Sequence, residues 1–421
     1  MKNTDDKRPR GVGDVKNIEV SESHIKPRAI LAAVFLVIGI AAIGIFVHSM
    51  LTTEPGWQTV ELSLSEPSAA DEFTLTYLFG TGEMSPAAEN KLIESVYADA
   101  CQKAYKLFDS ELLFDGVSNV AYINAHINEE ISVDSVLYDA FSKIEAYGSR
   151  YLYLAPVYGE YDAAFFGIEM PSAAAELDPY VNLKFAQELS TLAEYAASPE
   201  HISVKLLGDS KIMLSVSDEY LKFAKEYGIT SYIDFYRTKN AFVIDYLAQV
   251  LQENGFGCAT LTSYDGYTRN LDVMGNEYVF NIFDRVGGEV YRAAELYYTA
   301  PRAVVSLRDY PASERESYNY YMYGDRIISP FIDTANGLYR CAVSNLTAYS
   351  ANMGCADVLL RVLPVYISDT VDKECLKAMA DDEIYSIWCE DSVIYCTDEE
   401  ARIKGIYSDE EREYTLAHAD S

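Results

Sequence analysis

Residues 29–47 carry no charged side chain and consist almost wholly of Ile, Leu, Val, Ala, Phe and Gly. As a helix such a run reaches roughly 28 Å, about the hydrocarbon thickness of a bilayer. Lys2, Lys7, Arg8, Arg10, Lys16, Lys26 and Arg28 precede it, and no Lys or Arg follows before Lys91. That asymmetry keeps the N-terminus in the cytoplasm. A cleaved signal peptide is the competing reading, but the run is longer than a typical h-region and no clear small-x-small site follows it. No Cys follows the run to be lipidated either. The expectation is a cytoplasmic basic segment at 1–28 and a single-pass transmembrane signal anchor at 29–50. The protein is then held in the cell membrane by one helix, with its large remainder extracytoplasmic.

Charge narrows the partners of that remainder. The chain has 33 Lys plus Arg against 65 Asp plus Glu, a net charge of -32, which repels a phosphate backbone and excludes nucleic acid. Residues 1–28 hold seven of the basic and five of the acidic side chains, so the exterior part carries all of the excess. Such a surface attracts cations or basic partners, but its simplest role is solubility. Seven Cys show no CxxC and no Cys/His ligand spacing, and an odd number cannot all pair within the chain. Neither a zinc site nor a disulfide framework is expected.

Residues 51–72, with Pro55, Pro67 and several Ser, read as a tether. The alternating run from Phe73 to Leu78 reads as a first strand. Apolar residues recur at helical spacing through 87–108, 133–147, 179–197 and 238–254, the last ended by Gly255. Strand-like stretches at 203–207, 212–216, 278–283, 303–307 and 338–344 lie between or after these helices. This is an α+β arrangement without repeats or an internal linker, one domain of two interpenetrating lobes over 73–407, followed by an acidic tail at 408–421. The 35 Tyr suit strands whose outer faces are half wet.

Self-sufficient catalytic signatures are missing. No GxGxxG follows a strand, and GxxxxGK[ST], GxSxG and HExxH do not occur. His126 and His201, the His of the exterior region outside its tail, have no Cys, Asp or second His at ligand spacing, so solvated roles are expected. An ordered series of weaker motifs remains. Leu107-Phe108 and residues 118–125, with Asn124, are similar to a helix end followed by S-x-x-S-x-L-N-x. Residues 154–159, ending at Gly159, are similar to F-D-P-T-x-G-P. Residues 233–245, with Asp234, Arg237, Asn240 and Asp245, stand where L-D-L-G-G-I-A-K-G-Y-A-V-D is expected, and Asp265-Gly266 stands at an L-G-G strand turn. Residues 331–337, with Asp333 and Gly337, resemble H-I-I-D-P-x-T-G. Residues 355–363, with Asp357 and Arg361, resemble A-D-A-L-x-T-A-L, and residues 387–395 resemble a closing hairpin. Taken in order over 73–407, the series resembles the ApbE-type FAD:protein FMN transferase family.

The resemblance implies an ApbE/T-fold-like domain that moves FMN from FAD onto a Ser or Thr of a flavin-acceptor protein, with Mg²⁺ at the phosphates. It implies nucleotide contacts from Asn124, Gly159, Asp234, Arg237, Asp333 and Gly337, and a metal ligand in Asp357; no catalytic residue is assigned. Helix capping explains Asp234, Asp245 and Asp357 equally well. The departures are severe. Tyr236-Arg237 replaces the Gly-Gly pair, Asn240 the Lys and Ala241 the next Gly; Phe331 or Pro330 stands for the His, and Arg361 for the metal-binding Thr. Lys239 is expected to point roughly 100° away from Asn240 around a helix. Arg361, at i+4 from Asp357, is expected to repel a cation on that face, and Arg237 and Arg361 are able to bind phosphate directly. The alternative to an FMN transferase is therefore a catalytically degenerate flavin- or protein-binding module. Protease added to intact cells is expected to digest the region after residue 50 and spare the N-terminus; protection of the large domain rules out the predicted orientation.

Overall fold

From Phe73 to Phe79 every second residue is buried, the pattern of a strand packed more heavily on one face. It is the second strand of a nine-stranded sheet whose spatial order is Gly56–Thr59, Phe73–Phe79, Ala259–Ser263, Tyr267–Asn270, Arg302–Arg308, Asn345–Ser350, Tyr385–Glu390, Val393–Cys396 and Thr415–His418. Neighbours are antiparallel except the last pair, in which Val393 lies opposite Thr415 in parallel register. The computed structural model describes residues 53–62, 66–166, 174–323, 326–409 and 412–418. The anchor expected at 29–50 lies outside them, and no described helix is long and apolar enough to cross a membrane.

Both faces of the sheet are covered. Leu75, Leu261, Val305, Leu346 and Trp388 point into the main core beneath the helices. Val304, Tyr349, Ile387 and Ile394 point the other way, onto Ile282, Ala294 and Leu296. These last belong to a three-stranded sheet of Glu277–Val286, Glu289–Thr299 and Arg402–Lys404. A third small sheet joins Ile131–Ser132, Lys211–Val216 and Ile202–Gly208.

The helices are α1 (Pro86–Phe108), α2 (Val120–Ala125), α3 (Ser135–Ala146), α4 (Ala155–Ala164), α5 (Leu183–Ala197), α6 (Asp218–Tyr227), α7 (Lys239–Glu253), α8 (Cys355–Tyr366) and α9 (Lys373–Ala380). Most start where a short polar side chain accepts an exposed backbone N–H: Ser85 for α1, Asn119 for α2, Asp134 for α3, Asn182 for α5 and Ser217 for α6. Helix α8 is different, since its N-cap is Gly354 with no side chain to offer. The Asp245 carboxylate of α7 takes that place, accepting the Cys355 N–H at 2.8 Å and the Ala356 N–H at 2.9 Å. A Cβ at Gly354 would stand 2.2 Å from Asp245 Oδ2, so only glycine permits the approach.

The mixed α+β class holds, and the four predicted helices form as α1, α3, α5 and α7, with α5 starting at Leu183 rather than at 179. Three features differ. The strand expected at 338–344 forms instead at Asn345–Ser350, where every residue is buried and no alternation shows. Residues 338–344 run as irregular chain, with Arg340 N–H on Phe331 O and Ala342 N–H on Tyr366 O. The stretch read as tether contains the edge strand Gly56–Thr59 and a 3₁₀ turn at Ala69–Glu72, and the stretch read as tail supplies Thr415–His418. Helices α2, α4, α6 and α9 escaped the periodicity test because they are short; α6 buries only Tyr220 and Ala224. Tyrosine divides: Tyr278, Tyr291, Tyr297, Tyr385 and Tyr395 lie half-buried on strands as expected, whereas Tyr153, Tyr161, Tyr220, Tyr349 and Tyr366 are among the largest fully buried side chains. All seven thiols are free, with Cys101, Cys355, Cys389 and Cys396 buried and the others half-buried.

Two glycines give opposite expectations. Gly354→Ala forces a methyl into Asp245 and should cost about 1–3 kcal/mol, as overpacking does. Gly159 lies within α4 with nothing within 4 Å of an added Cβ, so Gly159→Ala should stabilise by about 0.5–1 kcal/mol. Thermal melts of the two variants check both signs.

Candidate functional site

The segment 231–240 is set in place by Asn124, at the end of α2. Its amide nitrogen donates to Ile233 O at 2.9 Å and Ser231 Oγ at 3.2 Å, and its oxygen accepts the N–H groups of Tyr232 and Ile233 at 2.9 and 3.0 Å. Every hydrogen-bonding position of that amide is used within the protein, which makes Asn124 a bracket for this segment. Asp234 follows. Its carboxylate accepts the Tyr236 N–H at 2.7 Å and the Ser110 hydroxyl at 2.8 Å. Burial raises its pKa, opposed by these two bonds and by Lys239 and Arg237.

Tyr236 then adopts φ +44°, the left-handed region that glycine favours, at the position where the related motif has glycine. Three contacts hold it there. Its ring lies parallel to Tyr158 of α4 at 4.0 Å between centroids, its hydroxyl donates to Asp162 at 2.9 Å, and the Arg237 guanidinium sits 4.9 Å over its face. Arg237 also donates to Asn319 Oδ1. One turn on, Lys239 Nζ meets Glu72 Oε1 at 2.7 Å, while Asn240 Nδ2 donates to Glu72 Oε2 at 2.8 Å and Asp265 Oδ2 at 3.0 Å. Lys239 and Asn240 therefore converge on one carboxylate, contrary to the divergence expected from helical geometry; the long lysine stem and the first-turn position of Lys239 explain the difference.

These groups line a cleft of about 540 Å³ that also takes in Tyr264 and Arg315. Arg237 Nε and Asn240 Oδ1 are buried there without hydrogen-bond partners, an unpaired donor and an unpaired acceptor in one place. Burial alone would raise the Glu72 carboxyl, but Lys239 and the Asn240 amide hold it below its ordinary range. Burial would likewise lower the Lys239 ammonium, and Glu72 keeps it raised. Burial, with Glu72 beside it, pushes the Asp265 carboxyl up, and Ser263, the Asn240 amide and Arg237 only partly oppose the rise.

The other expected residues lie elsewhere. Gly159 is exposed on α4, one residue past the Tyr158 ring. Asp333 and Gly337 form a separate turn. Asp333 accepts the Ala335 N–H at 2.9 Å and lies 3.6 Å from Arg340, and Gly337, at φ +71°, packs so closely on the backbone of α5 that a Cβ would meet Leu189 O at 2.7 Å. Helix α4 links turn and cleft, since Tyr161 on it accepts the Tyr339 N–H at 3.0 Å.

Asp357 borders a second cleft of about 490 Å³ with Lys103, Lys143, Asp245 and Arg269. Its carboxylate is ion-paired with the Lys143 ammonium, and Tyr147 donates to it at 3.4 Å. Mg²⁺ requires several oxygen ligands at about 2.0–2.1 Å in near-octahedral order. Here the nearest groups are cationic, and among the described residues no three His, Cys, Asp or Glu are grouped to hold a metal. The residues present do not fit Mg²⁺. Arg361, expected to act against a cation at Asp357, instead pairs with Asp382 at 2.6 Å, and Phe331, in the place of the motif's His, packs edge-on against Tyr366. His126 and His201 have local roles, with ring nitrogens 2.8 Å from Tyr122 O and 3.0 Å from Ser217 Oγ. Sequence reasoning missed Glu72, Lys143, Tyr158 and Asn319; Glu72 fell within the stretch read as tether.

Solved structures share this architecture. The ApbE protein of Thermotoga maritima superposes with a TM-score of 0.54 at 13% identity, over 79% of this chain and 93% of that one. Flavin transferase ApbE of Vibrio cholerae gives 0.51 at 12% identity over 83% and 97% in a His-to-Gly mutant, and 0.50 at 12% identity over 79% and 93% in another structure. No family model and no curated protein matches the sequence. The chain has a divergent ApbE-like fold.

Asp265 gives a test of the cleft's electrostatics. An unfolded aspartate titrates near pH 4, whereas the folded carboxyl holds its proton to higher pH, so its burial costs stability increasingly as pH rises through that interval. Asp265→Asn should raise the melting temperature at pH 7, with the gain shrinking as pH falls towards about 4 and absent below it. A loss at pH 7 would mean that Lys239 and Arg237 fully compensate the charge.

Proposed function

We propose that this chain is a membrane-anchored, extracytoplasmic module that binds a flavin nucleotide on an ApbE-like fold and has lost Mg²⁺-dependent FMN transfer. The observation that carries the loss is the Lys143 ammonium on Asp357. A cation built into the chain stands at the carboxylate where the related motif puts its metal, so a divalent ion has neither the oxygen ligands nor the net negative field it needs.

Binding is supported by the first cleft. Arg237 and Lys239 supply positive charge to phosphates, and Arg237 Nε and Asn240 Oδ1 await a ligand that both accepts and donates hydrogen bonds. Tyr236, Tyr264 and Tyr318 add aromatic surface to the lining of that cleft. A bound flavin nucleotide would itself supply the ring chemistry and the pyrophosphate; the chain's residues bind and orient it.

Transfer at a pyrophosphate depends on preorganised charge. Losing one such group commonly costs about 2.7–4 kcal/mol, or about 10²–10³ in rate. Three positions differ here, at Asn240, Phe331 and Arg361, and although the losses are not additive their total removes useful turnover. Full-length protein in detergent, given FAD, Mg²⁺ and a flavin-acceptor domain, should leave no fluorescent FMN on the acceptor in a denaturing gel. The same protein should quench FAD fluorescence on titration without Mg²⁺, and Arg237→Ala should weaken that binding by at least about tenfold. Robust FMN transfer overturns the loss of catalysis, and absence of FAD binding overturns the flavin assignment.

A further inference from the structure

An apolar patch whose residues line neither cleft includes Trp57, which lies close along the chain to the predicted anchor. Asp272 is fully buried, and its two oxygens accept the Met274 N–H at 2.8 Å, the Asn276 side-chain amide at 2.9 Å, the Asn276 N–H at 3.3 Å and the Tyr278 hydroxyl at 2.8 Å. This network folds residues 272–276 into a fixed loop and turns its apolar side chains outward: Val273 is 71% exposed and Met274 58%. Trp57, on the edge strand of the main sheet and 40% exposed, packs edge-on against Tyr278 at 6.1 Å. Trp, Tyr, Val and Met are thus gathered on a rigid base. The carboxylate inside the patch is sequestered by four donors, and Glu277 at its rim is paired with Arg402 at 2.6 Å.

We infer that this patch docks on the outer leaflet of the membrane carrying the anchor, with Trp57 at the headgroup level and Val273 and Met274 dipping into the acyl boundary. The inference rests on the anchor reading of residues 29–50. Nine residues separate Val47 from Trp57, a reach of at most about 35 Å even fully extended. That reach keeps Trp57 within a short tether of the outer leaflet. Indole and phenol rings favour the interface, where an apolar body meets water. Aliphatic side chains gain about 0.8 kcal/mol for each methylene removed from water. The acidic excess of the exterior part opposes an anionic surface, so a zwitterionic leaflet is the fitting partner.

The chain contains two Trp, and Trp388 is fully buried, so Trp57 is the reporter. Full-length protein is reconstituted one copy per phosphatidylcholine nanodisc, with part of the lipid brominated along its acyl chains. Tryptophan emission should be quenched relative to discs without bromine. The quenching should vanish in Trp57→Phe and fall in the double variant Val273→Ser with Met274→Ser, both surface changes that leave the core intact. Release of the protein from discs by alkaline carbonate overturns the anchor and the docking with it. Retention in the discs without bromine quenching overturns the docking alone.

Discussion

A single half-buried carboxylate at the edge of the second cleft ties the centre of the molecule together. Asp245 leaves α7, takes two backbone N–H groups at the start of α8 and lies 3.5 Å from Arg269 on the central sheet. Burial raises its pKa, and Arg269 with those two N–H groups opposes the rise. Helix dipole and guanidinium together make an anion tolerable there. Because α7 begins at Lys239 and α8 carries Asp357 in its first turn, this contact fixes the relation between the two clefts. Gly354 is the steric condition for it.

The composition explains how so many acids are accommodated. Bases number about half the acids, so salt bridges alone cannot satisfy the carboxylates that packing draws inward. Tyrosine hydroxyls take up part of the deficit: Tyr77 donates to buried Glu89, Tyr414 to buried Asp284 and Tyr349 to half-buried Asp398. Each is a neutral donor on a ring that also fills the core, so a carboxylate is solvated without importing a second buried charge. The abundance of Tyr, which strand faces alone did not explain, follows from the shortage of Lys and Arg.

Periodicity revealed the long helices and five of the strands among the described residues, but not the long strand Glu289–Thr299. It failed at Asn345–Ser350, buried on both faces, and in short helices such as α6 with a thin apolar stripe. Motif order led to Arg237, which borders a cleft, and to Asp234 two residues before the lining residue Tyr236, but could not reveal what they meet. Lys239 and Glu72 stand 167 positions apart, and Lys143 and Asp357 stand 214 apart. Such pairings are products of topology, and no local spacing encodes them. The sequence also hid the conversion of an expected metal ligand into half of an ion pair, since nothing near Asp357 along the chain announces Lys143.

The seven free thiols differ from free cysteine in one respect that matters for their reactivity. Only the thiolate exchanges with disulfides or reacts readily with oxidants. Burial pushes Cys101, Cys341 and Cys396 up to about 12 and holds Cys355 well above its ordinary value. A thiol titrating near 12 is ionised in about one molecule in 10⁵ at neutral pH. Burial thus holds these thiols in the protonated form, the one that exchanges least, so the folded body keeps its sulfur chemistry quiet by packing rather than by crosslinking.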